Sequence, residues 1–238
     1  MNVSRVVFIA FLPIACVSAA PAPAVAPAGV VETYSALTGE QSARLRGASM
    51  EVDIEAELPK LKKQGRLHAL RHISRLGRIT YDALRFEGDR SVKSNVIARY
   101  LTAEAQVQDG DTSSFSIIPA NYKFKYKGRL DVEGRPVHVF QLTPRKKRLG
   151  LFKGELWLDA ETCLPIRESG RLVKTPSIFL KRIEFVREYE IRDGISVPRR
   201  IHSIVDTRLV GKAELTVNFR NILLPEAAPG PVAVLAGQ

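Results

Sequence analysis

Thiols are nearly missing from this sequence: 238 residues contain two cysteines, Cys16 and Cys163. Cys16 falls inside an N-terminal apolar leader, so the folded part has no pair from which to build a disulfide framework, and its core must hold by packing. Cys163, in "ETCLP", lacks the flanking signature of a reactive thiol and reads as small filler at a strand end. Acids are also short, 25 against 36 Lys and Arg, for a formal charge of +11. Beyond the leader no apolar run approaches the length of a membrane span, so the released chain is expected to be soluble. Gly-x-Ser-x-Gly, a phosphate loop and a paired-carboxylate signature are absent, so no catalytic residues and no cofactor are expected, and an enzyme is not. The one metal-like spacing, His68 and His72, lacks the Glu of a zinc-protease helix and a third ligand; no metal site is expected. His138 and His202 fall on alternating segments and read as polar-face residues.

The first twenty residues combine Arg5, the apolar run "VVFIAFLPIA" and the small residues "CVSAA". That is the build of a cleaved secretory signal peptide over residues 1–20, which places the protein in the periplasm and makes nucleic acid a poor partner despite a pI near 9.9. The alternative reading takes Pro13-Ile14-Ala15-Cys16 as a lipobox and leaves Cys16 lipidated and anchored. Residues 21–29 are an Ala/Pro-rich tether, residues 30–225 a single domain, and residues 226–238 a flexible tail.

"VVETYSALTGEQSARLR" places Val31, Tyr34, Leu37 and Leu45 loosely on one helical face, weakened by Thr38-Gly39. From Met50 to Leu58 apolar residues alternate with Glu51, Asp53, Glu55 and Glu57, which predicts an antiparallel strand with one face in the core and one in water. Similar segments follow at 67–73, 79–86, 122–127, 137–142, 154–159, 164–173, 179–191, 198–207 and 212–221, joined by turns such as Glu133-Gly134 and Asp193-Gly194. About ten strands with hairpin connections and no βαβ rhythm predict a mainly β (α+β) fold, a strongly curved antiparallel meander forming an open half-barrel. One to three helices would cover its apolar cavity. Between Ser91 and Ser116, "SNVIARYLTAEAQ" is either a helix bearing Val96, Ile97, Tyr100 and Leu101 or a further strand.

Trp157-Leu158-Asp159, a turn, Leu164-Pro165-Ile166-Arg167, then Tyr189, Asp193-Gly194 and Pro198 form a pattern that resembles the bacterial outer-membrane lipoprotein-sorting superfamily, the LolA/LolB/RseB-like periplasmic proteins. The resemblance implies an open β-barrel whose helices plug a cavity that takes acyl chains. It implies a periplasmic carrier for a lipid, acyl chain or lipoprotein, with an envelope sensor or adaptor acting on a protein partner as the alternative. Asp159 and Asp193-Gly194 are turn residues first and identify the scaffold, not its cargo.

Large apolar residues on alternating strands make Phe124, Phe140, Trp157, Phe185, Tyr189 and Phe219 the candidates for lining the cavity. Strand parity is open where both neighbours are apolar, as at Leu156-Trp157-Leu158. The tetrad Arg145, Lys146, Lys147 and Arg148 is either a solvated loop that favours solubility or a cationic rim for anionic membrane headgroups. Leu149, Leu151 and Phe152 follow at once and would suit the boundary between headgroups and acyl chains.

Overall fold

The computed structural model describes residues 27–107, 114–175, 180–208 and 211–225. The segments expected to be signal peptide (1–20) and C-terminal tail (226–238), Cys16, and most of the expected tether lie outside the described residues. Ten strands form one open antiparallel sheet: β1 (Ser49–Leu58), β2 (Lys63–Ile73), β3 (Ile79–Gly88), β4 (Tyr122–Val132), β5 (Arg135–Pro144), β6 (Phe152–Asp159), β7 (Pro165–Leu172), β8 (Leu180–Arg192), β9 (Ile195–Thr207) and β10 (Lys212–Leu223). Each contains or overlaps one of the ten segments that alternation marks.

The spatial order is β3-β2-β1-β10-β9-β8-β7-β6-β5-β4, so the meander is broken once, where β1 pairs with β10. Chain neighbours otherwise remain sheet neighbours, and the two ends of the sheet are β3 and β4. Edge strands invite unwanted pairing, and β4 counters this with Lys123, Lys125 and Lys127 alternating with its apolar residues. Two hairpins close through two-residue turns, Glu133-Gly134 and Asp193-Gly194, with all four residues at positive φ. Gly and Asp tolerate that geometry, which matches the twist of the flanking strands.

Two helical segments lie over one face of the sheet. Helix α1 (Val30–Arg44) starts at Gly29 in the left-handed conformation. The second segment fills the connection from β3 to β4: α2 (Arg90–Val92), a π-helical turn (Lys93–Ile97) and α3 (Ala98–Val107). It resolves the helix-or-strand alternative for the region after Ser91 in favour of helix. Asp89 caps its start by accepting from the Ser91 backbone amide at 2.7 Å.

The apolar face divides into two buried clusters. One joins Met50, Val52, Ile54, Leu67, Leu215 and Val217 with Val92 and Ile97 of the second helical segment, and Val96, Tyr100 and Leu101 pack at its margin. The other joins Tyr122, Phe140, Leu142, Phe152, Leu156, Leu158 and Phe185 with Val30 and Tyr34 of α1. Within it Phe124 meets Phe140 at 6.2 Å and Phe152 meets Phe185 at 4.9 Å, both edge to face. Each helix therefore covers its own half of the sheet.

Candidate functional site

Between the two clusters the covered face is less tightly closed. Strand register carries the inward parity from Val217 through Ile201 to Arg187 and Glu168, and from Ser203 to Phe185 and Gly170. Along this seam Leu172, Ile183, Ile201, Ser203 and Val205 are half-buried, whereas their counterparts under the helices are almost fully buried. The seam over β7, β8 and β9 is thus an apolar strip partly open between α1 and α3.

A polar group sits in it. Arg187 contacts Glu168 at 3.3 Å, with 45% of the arginine side chain accessible and 9% of the glutamate. The guanidinium lies 4.7 Å from the Phe185 ring centre. The phenols of Tyr189 and of Tyr34 on α1 feel the Glu168 carboxylate, and that of Tyr100 on α3 feels Glu104 first and Arg187 more weakly. Burial, followed by the Glu168 carboxylate, pushes Tyr34 and Tyr189 above the ordinary phenol range; burial followed by Glu104 does the same to Tyr100. All three act as neutral hydroxyls.

A second polar group ties α3 to the sheet. Buried Arg71 donates to Glu104 Oε1 at 2.9 Å, lies 5.8 Å from the Phe219 ring centre, and leaves its Nε without a partner. Tyr81 also bonds Glu104. Arg71, Glu168 and Arg187 were not among the sequence candidates, although alternation exposes two of them. Arg71 shares the parity of Leu67, Ala69 and Ile73, and Arg187 that of Ile183 and Phe185.

The two covers are held differently. The second helical segment buries Val92 and Ile97 fully and Val96, Tyr100 and Leu101 in part, whereas α1 buries Val30 and Tyr34 fully and only Val31 in part. The two covers thus match in fully buried side chains, at about 1.5–3 kcal/mol each, and the second gains more from its partly buried ones. Helix α1 buries Val30 and Tyr34, and its far end is fixed by hydrogen bonds to one hairpin. Gln41 Oε1 accepts from the Ser196 amide at 2.8 Å, and Arg44 donates to the backbone oxygens of Asp193 at 2.7 Å and Gly194 at 3.3 Å. Its interior contains Gly39, costly by about 1 kcal/mol relative to Ala, and Ser35, Thr38 and Ser42 bond back to the preceding turn. Helix α1 is the weaker cover.

The register puts Phe124, Phe140, Phe185, Tyr189 and Phe219 on the covered side. Trp157 is a correction: it stands opposite Val139 and Arg167 on the other face, donates Nε1 to Glu155 at 3.1 Å and lies 5.1 Å from the Arg167 guanidinium carbon. The cause is the run Leu156-Trp157-Leu158, in which the two leucines take the core positions and the larger ring between them is turned outward.

Residues 145–148 form an exposed loop after β5. Arg145 is tethered through Nε to the Pro119 oxygen at 2.7 Å, and Lys146, Lys147 and Arg148 make no ion pair among the described residues. Of the apolar residues that follow, only Leu149 is exposed, at 44%; Leu151 and Phe152 are core residues of the α1 half, which corrects their expected place at a membrane boundary. The β1–β2 turn lies at the same end of the sheet and carries Lys60 and Lys62 around Leu61, which is 46% exposed. His68 and His72 belong to the outer face, with His68 Nδ1 2.9 Å from Asp53 and His72 Nε2 3.4 Å from Asp82.

No family model matches the chain, and no curated protein matches it. Among solved structures it is similar to a DUF1329 family protein from Desulfovibrio piger ATCC 29098, at 13% identity and a TM-score of 0.44, covering 84% of this chain and 95% of that one. It is also similar to a LolA superfamily protein from Nitrosomonas europaea, at 13% identity and a TM-score of 0.41, covering 86% and 96%. A putative outer membrane lipoprotein-sorting protein domain from Vibrio parahaemolyticus gives 13% identity and a TM-score of 0.40, covering 84% and 95%.

Proposed function

We propose that this chain is a periplasmic binding or carrier protein for a hydrophobic ligand, a lipid, an acyl chain or the acylated end of a lipoprotein, and that its cationic end docks on an anionic membrane surface. The observation that carries the reading is the unequal cover. An apolar seam over β7–β9 lies beside a helix that buries two side chains and is latched by hydrogen bonds at its other end. Ten methylenes buried in place of that helix supply roughly 8 kcal/mol before ordering costs, comparable to what the helix gains from its own apolar contacts. The secretory leader supports the periplasmic part of this reading, and the Trp-Leu-Asp and Asp-Gly motifs support its scaffold.

Native mass spectrometry of protein purified from its own envelope, followed by solvent extraction, tests it. A stoichiometric acyl-bearing species that can be extracted and rebound is the expected result. Protein free of such a species, together with failure to bind a fluorescent fatty acid, overturns the carrier reading. The mass of the mature chain also tests export: a start at Ala20 or Pro21 is expected, and a diacylated Cys16 would make the protein an anchored lipoprotein instead.

A further inference from the structure

The outer face, opposite the helices, has an open pocket of about 640 Å³ bordered by Lys153, Arg171, Arg182, Glu184, Val186 and His202. That volume is within the range of small-ligand sites. A dent of about 280 Å³ adjoins it through Val186 and His202 and adds Arg167 and Arg200. Its charges are arranged unlike most of this face, where opposite signs meet across strands. Arg66 pairs with Glu55 at 2.8 Å, and Glu188 stands opposite both Arg167 and Arg200.

Two like-charged pairs break that order, Glu57 with Glu214 and Lys153 with Arg171, and the second borders the pocket. Like charges directly opposite one another destabilise a strand pair. Glu184, the acid across from Arg171 on the next strand, is engaged by Arg182. Lys153 and Arg171 make no ion pair among the described residues. Two exposed cations on one strand pair, with backbones about 5 Å apart, therefore border a cavity whose lining also includes Val186 and Ile204. A single tetrahedral anion can accept from both, and the remaining volume, lined by polar side chains together with Val186 and Ile204, accommodates a small polar organic group attached to it.

We infer that this pocket binds a phosphate-bearing polar group, with Lys153 and Arg171 straddling the phosphate. The inference does not depend on the covered face carrying a lipid. Either a soluble phosphate ester or a lipid headgroup has this chemistry, and one experiment separates them. The full mature chain is titrated with sn-glycerol 3-phosphate, with glycerol as the uncharged control, and by sedimentation with vesicles of phosphatidic acid in phosphatidylcholine.

Saturable binding of glycerol 3-phosphate, weakened at least tenfold in Lys153→Gln/Arg171→Gln and unchanged in Arg75→Gln/Arg85→Gln, which removes equal charge from the β2–β3 hairpin, is expected. The pocket variant should melt no lower than wild type in phosphate-free buffer, since a repulsion has gone, and the ester should raise the melting temperature of wild type and of the Arg75→Gln/Arg85→Gln control but not that of the pocket variant. A parallel loss of vesicle binding in the pocket variant identifies a headgroup as the source, and retained vesicle binding a soluble ester. Absence of saturable binding, or equal weakening in the two double variants, overturns the site.

Discussion

Arg44, in the last turn of α1, donates to the backbone oxygen of Asp193 at 2.7 Å and so ties a helix to the hairpin that joins the two longest strands. Gln41 adds a second tie through the Ser196 amide. Exposed hydrogen bonds of this kind contribute about 1 kcal/mol each. Arg44→Ala combined with Gln41→Ala should therefore release the end of α1 without unfolding the sheet. Hydrogen exchange should accelerate across Val30–Arg44 and stay unchanged in β1 and β10. If α1 opens to admit an acyl chain, affinity for a fluorescent fatty acid should rise by up to about thirtyfold, because the opening cost is lower by about 2 kcal/mol. Unchanged affinity with accelerated exchange would mean that α1 does not gate binding.

The pair Arg187–Glu168 invites a stability test. Removing one member of a buried pair leaves an uncompensated charge, which costs about 3–5 kcal/mol in a closed interior. Arg187 is 45% accessible, so water screens it and the cost should fall nearer to 1–2 kcal/mol. Glu168→Leu, which leaves the water-screened Arg187 unpaired, should be destabilised by that amount in urea unfolding, and Arg187→Met by more, because it leaves the buried Glu168 carboxylate without its counter-charge. The double variant Glu168→Leu/Arg187→Met should recover most of the loss. A double variant worse than the sum of the singles would show that the pair contributes net stability.

The strands were legible because one oily and one charged face leave a period-two signature, and β1 reads it without interruption from Met50 to Leu58. What was not legible follows from the same rule. Trp157 has apolar neighbours on both sides, so alternation has no phase there, and only the pairing of Leu156 with Phe140 fixes it. Leu151 and Phe152 sit beside four cations, yet register makes Phe152 the partner of Leu172 in the core half under α1. The β1–β10 pairing that splits the meander joins residues far apart in the chain and leaves no local mark. Polar residues on an apolar parity, Arg71 and Arg187, were visible in the pattern and point to the seam between the helices.

Trp157 supplies the third prediction. On the outer face, with its indole bonded to Glu155 and beside Arg167, it is screened by the sheet from the covered side. Its emission should stay constant when a long-chain fatty acid binds, as shown by a second method. Trp157→Phe should bind that ligand with wild-type affinity. A spectral shift that tracks occupancy would place the ligand on the outer face, or show that binding reshapes the sheet itself.

The exposed cations at the end of the sheet give the last prediction. Arg145, Lys146, Lys147 and Arg148 adjoin the exposed Leu149, and Lys60 and Lys62 flank the exposed Leu61 in another turn at that end. Near an anionic bilayer each Lys or Arg contributes about 1 kcal/mol, and an exposed leucine can enter the headgroup boundary. Reversing the tetrad to Glu should therefore abolish binding to phosphatidylglycerol vesicles at low salt, where the wild type binds. At physiological ionic strength the difference should shrink, because charges separated by more than roughly 8 Å are screened. Stability should fall only through Arg145, whose Nε holds the Pro119 oxygen at 2.7 Å, so Lys146→Glu/Lys147→Glu/Arg148→Glu is the cleaner variant. That triple variant should melt with the wild type and still lose the vesicles. Equal vesicle binding by the triple variant and the wild type at low salt would reduce the loop to a solubility feature and remove the membrane from the proposed function.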